Sequence, residues 1–151
     1  MLHVVLDRPA IAGNVGACVR LIAATGAALH VCGSELRPSD RDMWRAGLDY
    51  WPDARVHFHR SLERCLALLV PGSPSGAPFI VEVGGALLPW DASFQRGDVV
   101  ILGPENYSVD EAVLQRYRDR VVTLPQRADV RSLNLAQCAA VIVFEAMRQQ
   151  R

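Results

Sequence analysis

The stretch that most constrains this 151-residue chain is its last quarter, from Val121 to Phe144. It begins as a β-branched run, Val121 to Leu124, which Pro125 stops, and this reads as a short strand. A polar loop follows, carrying Arg127, Asp129, Arg131 and Ser132. Asn134 suits a helix N-cap, and Gln137 three residues later completes a capping-box pattern. From Leu135 to Glu145 the helix is apolar almost all round, which predicts burial on more than one side. A strand feeding a polar loop onto a helix N-terminus is where α/β proteins seat ligands. The hydroxyl, amide and guanidinium groups of this loop suit a polar one.

Upstream, short apolar runs alternate with helical periodicity. Leu2 to Leu6 reads as a buried strand, and Asn14 as the cap of a helix running to Thr25, with Gly26 as its C-terminal stop. Leu29 to Cys32 and Val56 to Phe58 read as strands, separated by a short helix opened by Ser39 or Asp40. Leu62 to Leu69 reads as a helix, Pro71 to Pro78 as a surface loop, and Phe79 to Val83 and Asp98 to Leu102 as strands. Ser108 to Glu111 has the form of a capping box for a helix ending near Tyr117. Strands alternating with helices imply an α/β fold with a mainly parallel sheet and flanking helices, built as one domain over residues 1–151.

Composition narrows the function classes. The net charge is zero, so there is no global basic field of the kind common in nucleic-acid binders. All basic side chains are Arg, whose planar fork suits phosphate; Arg8, Arg20, Arg41 and Arg45, with Arg127 and Arg131, are the local clusters available. Cys18, Cys32, Cys65 and Cys138 have no metal-type spacing and read as reduced core residues of a cytoplasmic protein. His3, His30, His57 and His59 fall in or beside strands and read as structural, so no metal is expected. No apolar run is long enough for a membrane span. A nucleophile elbow, a P-loop and a dinucleotide fingerprint are all lacking.

Three segments carry more than periodicity. Pro9, Asn14, Gly16 and Arg20 stand in the order P-x-x-x-x-N-x-G-x-x-x-R; Gly103-Pro104-Glu105 directly follows a strand; and Leu124-Pro125 precedes Arg131-Ser132-Leu133-Asn134-Leu135. In that order they resemble the three motifs of the SPOUT (trefoil-knotted) RNA methyltransferases, in their TrmH-like branch. Arg45-Ala-Gly-Leu-Asp-Tyr50 is similar to the members that methylate the wobble nucleotide of tRNA, the TrmL-type enzymes. Ser108 stands where the family generally has another Gly.

The resemblance implies a C-terminal trefoil knot, with residues from Gly103 to Asn134 forming the crossings. It implies methyl transfer from S-adenosylmethionine, without metal, to a ribose 2′-hydroxyl of the wobble nucleotide (cytidine or a modified uridine) of tRNA. The implied catalytic set is Arg20, Asn14, Glu105, Ser132 and Asn134, and the implied cofactor-binding set is Val81, Gly103, Leu124 and Ser132. It also implies a homodimer whose sites combine motifs of both subunits. Another tRNA or rRNA site, a catalytically inactive RNA-binding knot and a flavodoxin-like small-molecule binder are the alternatives.

Overall fold

The computed structural model describes residues 1–37, 39–129 and 132–151; the expectations placed on Arg131 lie outside them. Six strands form one sheet: β1 (His3–Asp7), β2 (Ala28–Cys32), β3 (Arg55–His59), β4 (Phe79–Val81), β5 (Val99–Leu102) and β6 (Val121–Val122). Their spatial order is β3-β2-β1-β5-β4-β6 and every pairing between them is parallel. The helices are α1 (Ala12–Thr25), α2 (Arg41–Gly47), α3 (Leu62–Leu69), α4 (Glu111–Arg116) and α5 (Leu135–Gln149). The α/β architecture expected from the alternation of periods is the one formed.

Period-2 alternation divides the core between the two sheet faces. Val4 and Leu6 pack with Val15, Cys18 and Ile22 of α1 and with Ile142 and Val143 of α5. Val5, on the opposite face, packs with Cys65 of α3 and with Val99 and Ile101, while Val113 and Leu114 of α4 lean on the same cluster. Each fully buried Val, Leu or Ile contributes about 1.5–3 kcal/mol relative to exposure. The contact of α1 with α2 depends on Gly16. A Cβ there would lie 2.5 Å from Ala46 Cβ and 2.9 Å from Gly47 N, so only glycine permits this approach. Among the described residues no helix is long and apolar enough to cross a membrane.

Several local expectations change. Helix α1 starts at Ala12 with Ile11 as its N-cap and no side-chain cap bond. Asn14 is therefore not a cap: it lies inside the first turn, buried, with its amide committed to distant partners. Ser108 caps nothing either, because α4 begins at Glu111 behind Asp110. Strand β6 ends at Val122 and β4 at Val81. Beyond them the Thr123 hydroxyl takes over from the ladder, donating to Glu82 O at 2.8 Å and accepting from Gly85 N at 2.6 Å. At α5 the Asn134 cap forms, its Oδ1 accepting from Ala136 N and Gln137 N. No return bond from the Gln137 side chain accompanies it among the described residues. Finally, α5 buries one face only within the chain: Leu135, Ala139, Ile142, Val143 and Ala146 point inward, while Val141 and Phe144 are 47% and 57% exposed. The all-round apolarity is real, but a single chain covers half of it.

Candidate active site

Strand β1 is where the order of the sheet reverses, with β2 on one side and β5 on the other. Loops leaving the carboxyl ends of β1, β4, β5 and β6 meet there, the usual ligand position in an open α/β sheet. The first loop is fixed at Arg8. Its backbone has φ 46, a region that costs about 1–3 kcal/mol for a non-glycine residue and needs surrounding support. The support is ionic. The Arg8 guanidinium donates to Asp7 Oδ2 at 3.0 and 3.1 Å and to Asp110 Oδ1 at 3.0 Å, and it lies 5.4 Å from the centre of the Tyr107 ring. Burial raises the Asp7 carboxyl above its ordinary range, against the pull of Arg8.

The same two loops are joined a second time by Glu105. Its Oε2 accepts from Ala10 N at 2.9 Å, and its Oε1 accepts from Ile11 N at 3.2 Å and from Asn14 Nδ2 at 3.0 Å. Asn14 Oδ1 then accepts from Asn134 Nδ2 at 2.8 Å. A continuous polar chain thus runs Glu105–Asn14–Asn134 and ends on the first turn of α5. Each amide both donates and accepts, so its orientation is determined by its neighbours. Glu82 forms a third tie, accepting from Val109 N at 3.3 Å.

Against this framework lies a cavity of about 620 Å³ whose walls include Val81, Gly103, Leu124, Ser132 and Asn134. Its size falls in the range of small-molecule sites, about 300–1,000 Å³. All four residues of the expected cofactor-binding set line it, and so do Asn14 and Glu105. At Gly103 a Cβ would come within 2.8 Å of Val109 Cγ2, so this wall is bare backbone. The mixture of apolar walls with hydroxyl and amide groups fits a ligand that is part ring and part polar chain.

Arg20 is the exception. It is exposed on α1, does not line this cavity, and has no hydrogen bond or ion pair among the described residues. Six helical positions separate it from Asn14, which is about 9 Å along the axis and about a third of a turn around it. Arg41 and Arg45 are likewise exposed and unpaired among the described residues, whereas Arg127 is engaged by Asp129. The cavity also contains groups that the motifs did not single out: Ile11, Glu82, Tyr107 and Cys138. Cys138 sits four residues beyond the Asn134 cap, a helical spacing that could have flagged it. Burial raises its thiol, and burial pushes neighbouring Cys18 up to about 12. Neither thiol is ionised at neutral pH, so neither is an activated nucleophile.

Comparison with known proteins agrees with this geometry. The model of the SpoU rRNA Methylase family matches residues 1–144. A tRNA (cytidine(34)-2'-O)-methyltransferase of Methylovorus glucosotrophus is 36% identical over 153 residues, covering 99% of this chain and 96% of that protein. A solved structure concerned with the 2-OH methylation of C/U34 on tRNA has a TM-score of 0.88 and 36% identity, covering 99% of this chain and 96% of its own. The SpoU methyltransferase AviRb from Streptomyces viridochromogenes, in complex with the cofactor AdoMet, has a TM-score of 0.85 and 26% identity, covering 99% of this chain and 60% of that one. With three motif loops gathered at one switch point and a match that runs from the first strand into the last helix, this chain belongs to the SpoU rRNA methylase family.

Proposed function

We propose that this chain is an S-adenosylmethionine-dependent tRNA 2′-O-methyltransferase acting on the wobble nucleotide, with residues 1–151 working as one domain in the cytoplasm. The observation that carries the reading is the convergence of Asn14, Glu105, Ser132 and Asn134 on one cavity, in a chain so similar to a tRNA (cytidine(34)-2'-O)-methyltransferase. Free Cys18, Cys32, Cys65 and Cys138 fit a reducing compartment.

The residues present fit the methyl donor. Val81 and Leu124 offer apolar contact, Gly103 close backbone approach, and Ser132 hydrogen bonding. S-adenosylmethionine, when bound, supplies a methyl group already activated on a sulfonium. What remains for the protein is to align the ribose oxygen with it and to ease the loss of the hydroxyl proton. Arg20 holds the adjacent phosphate and favours the developing alkoxide. It does not accept the proton, since a guanidinium stays charged at all working pH values. Glu105, Asn14 and Asn134 act as positioning residues that set the cavity wall.

The active form is a homodimer. Val141, Phe144 and Met147 are spaced three apart on α5 and remain exposed, and a connected apolar surface of this kind favours a protein partner. Arg20, outside its own cavity, completes the cavity of the second copy. The chain from Gly103 to Asn134 forms the crossings of a trefoil knot. Consistent with this, β6 lies beyond β4, and α5 runs back from Asn14 to Ala92 and Phe94, which its Gln149 side chain bonds.

Arg20 provides the test. Arg20→Ala lowers single-turnover methylation of a tRNA substrate on the order of a hundredfold or more, as loss of one oxyanion donor does elsewhere. Cofactor affinity by calorimetry and the melting temperature stay near wild type, and Arg20→Lys restores little because an ammonium lacks the fork. Near-normal turnover in Arg20→Ala would refute the assignment.

A further inference from the structure

The four histidines of the chain, dispersed in sequence, gather on the sheet face that α3 covers. In the register of β2 and β3, His30 pairs with His57 and Cys32 with His59. Residues two apart on a strand share a face, so His30 with Cys32, and His57 with His59, point the same way. Cys65 meets them from α3, whose first turn is held by the Ser61 cap. His30 Nδ1 lies 3.0 Å from His59 Nε2, and His30 Nε2 lies 3.1 Å from His3 Nδ1. The ring of His57 stacks on His30 at 5.0 Å. The donor atoms of His30, His59 and Cys65 all lie within 4.8 Å of one another. None of the three lines the cavity at Gly103.

We propose that His30, His59 and Cys65 form a structural site for one divalent transition-metal ion of the zinc class, independent of methyl transfer. Two imidazoles and a thiol are borderline-soft donors that suit zinc or cobalt; magnesium and calcium require oxygen. Zinc bonds of about 2.0–2.1 Å to nitrogen and about 2.3 Å to sulfur imply, at tetrahedral angles, donors about 3.3–3.6 Å apart. The His30–His59 gap has to open by only about 0.3 Å to accept the ion.

The surroundings supply what such a site needs. His3 Nδ1 accepts the Nε2–H of His30 in the metal-bound tautomer, the outer hydrogen bond that orients a ligating histidine. Cys32 lies on the same sheet face, paired in register with His59, and the Cys65 thiol is lowered by this neighbour. Each imidazole keeps one proton on binding, and the single proton released is that of the Cys65 thiol. Since β3 is the edge strand and His59 is partly exposed, an ion can enter from solvent.

The test uses the full chain, stripped with chelator and titrated with Co²⁺ and then Zn²⁺. One cobalt per chain is expected, with a thiolate-to-metal charge-transfer band and the intense visible bands of tetrahedral cobalt, both lost on adding zinc. Cys65→Ser abolishes the charge-transfer band. His59→Ala, a partly exposed change that leaves the core intact, weakens zinc binding by more than about tenfold and removes the zinc-induced rise in melting temperature. His57→Ala, outside the donor set, retains both. Absence of the band in the wild type would overturn the proposal. So would equal zinc affinity and equal thermal response in wild type and His59→Ala, leaving a ladder of hydrogen-bonded histidines and adventitious metal only.

Discussion

Replacing Glu105 by Gln is the sharpest perturbation of the loop framework, because shape is kept and only acceptor capacity changes. All three contacts of the carboxylate are made by donors: Ala10 N, Ile11 N and Asn14 Nδ2. A glutamine has one oxygen, and whichever way its amide turns, an NH₂ group faces at least one N–H. With the oxygen at the Oε1 position, the bonds to Ile11 and Asn14 survive and the one to Ala10 is lost; the flipped amide loses two. Losing one charge-assisted bond costs about 1.5–3 kcal/mol, and partial exposure of Glu105 puts the expected value near 2 kcal/mol. For a chain of this length that is a fall in melting temperature of about 4–8 °C. Asn14 passes the disturbance to Asn134 at the cavity wall. If about 1.4 kcal/mol is felt there, the affinity for S-adenosylmethionine falls about tenfold. Urea unfolding and calorimetry on the same preparation measure the two effects. A glutamine variant with an unchanged urea midpoint and an unchanged cofactor affinity would show that these bonds hold neither the loops nor the cavity.

Three other outcomes are expected. Gly16→Ala gains about 1 kcal/mol of helix propensity but drives a methyl group against Ala46 and the backbone of α2; overpacking of about 1–3 kcal/mol or more prevails, and the melting temperature falls. Val143→Ala, at a site 2% exposed, costs about 2 kcal/mol in urea, whereas Phe144→Ala leaves subunit stability within about 0.5 kcal/mol and shifts sedimentation toward monomer; equal effects of the two would contradict the one-sided burial of α5. His30 has a folded-state pKa lowered from 6.5 to about 3 by burial first, then by His3, His57 and His59. The unfolded chain therefore takes up the proton first, and stability present above pH 6.5 is lost as the pH falls toward 3. The loss is on the order of 3–5 kcal/mol in metal-free protein, and His30→Gln should flatten the pH dependence of urea unfolding.

Much of the fold could be read from periodicity and punctuation. The bounds of α3, the Gly26 stop and the Asn134 cap depend on neighbours within one turn, and those were legible. Asn14 was not, because the residue types that cap helices are the types that make long-range amide bonds, and only Glu105 and Asn134 decide between the two roles. The Ser108 pattern failed for a related reason: a capping box is a permission, and the chain starts α4 two residues later. The cavity residues Val81, Gly103, Leu124 and Ser132 were found through motif resemblance, since nothing in their spacing brings them together. The grouping of His30, His59 and Cys65 was hidden, because strand register, not sequence distance, makes them neighbours.

The placement of β1 bears on how the chain comes off the ribosome. Strand β1, made before the other five, becomes an interior strand of the sheet, with His3 paired to Ala28 on one side and to Val99 on the other. The first partner follows 25 residues later, the second 96 residues later. At elongation speeds of about 5–20 residues per second, one edge of Val4, Val5 and Leu6 stays unpaired for roughly 5–20 seconds. Parallel pairing offers no hairpin shortcut, so this edge cannot be closed early by a local turn. The nascent polypeptide therefore carries a sticky seam until β5 has emerged, and that interval is when a holding chaperone matters most to it.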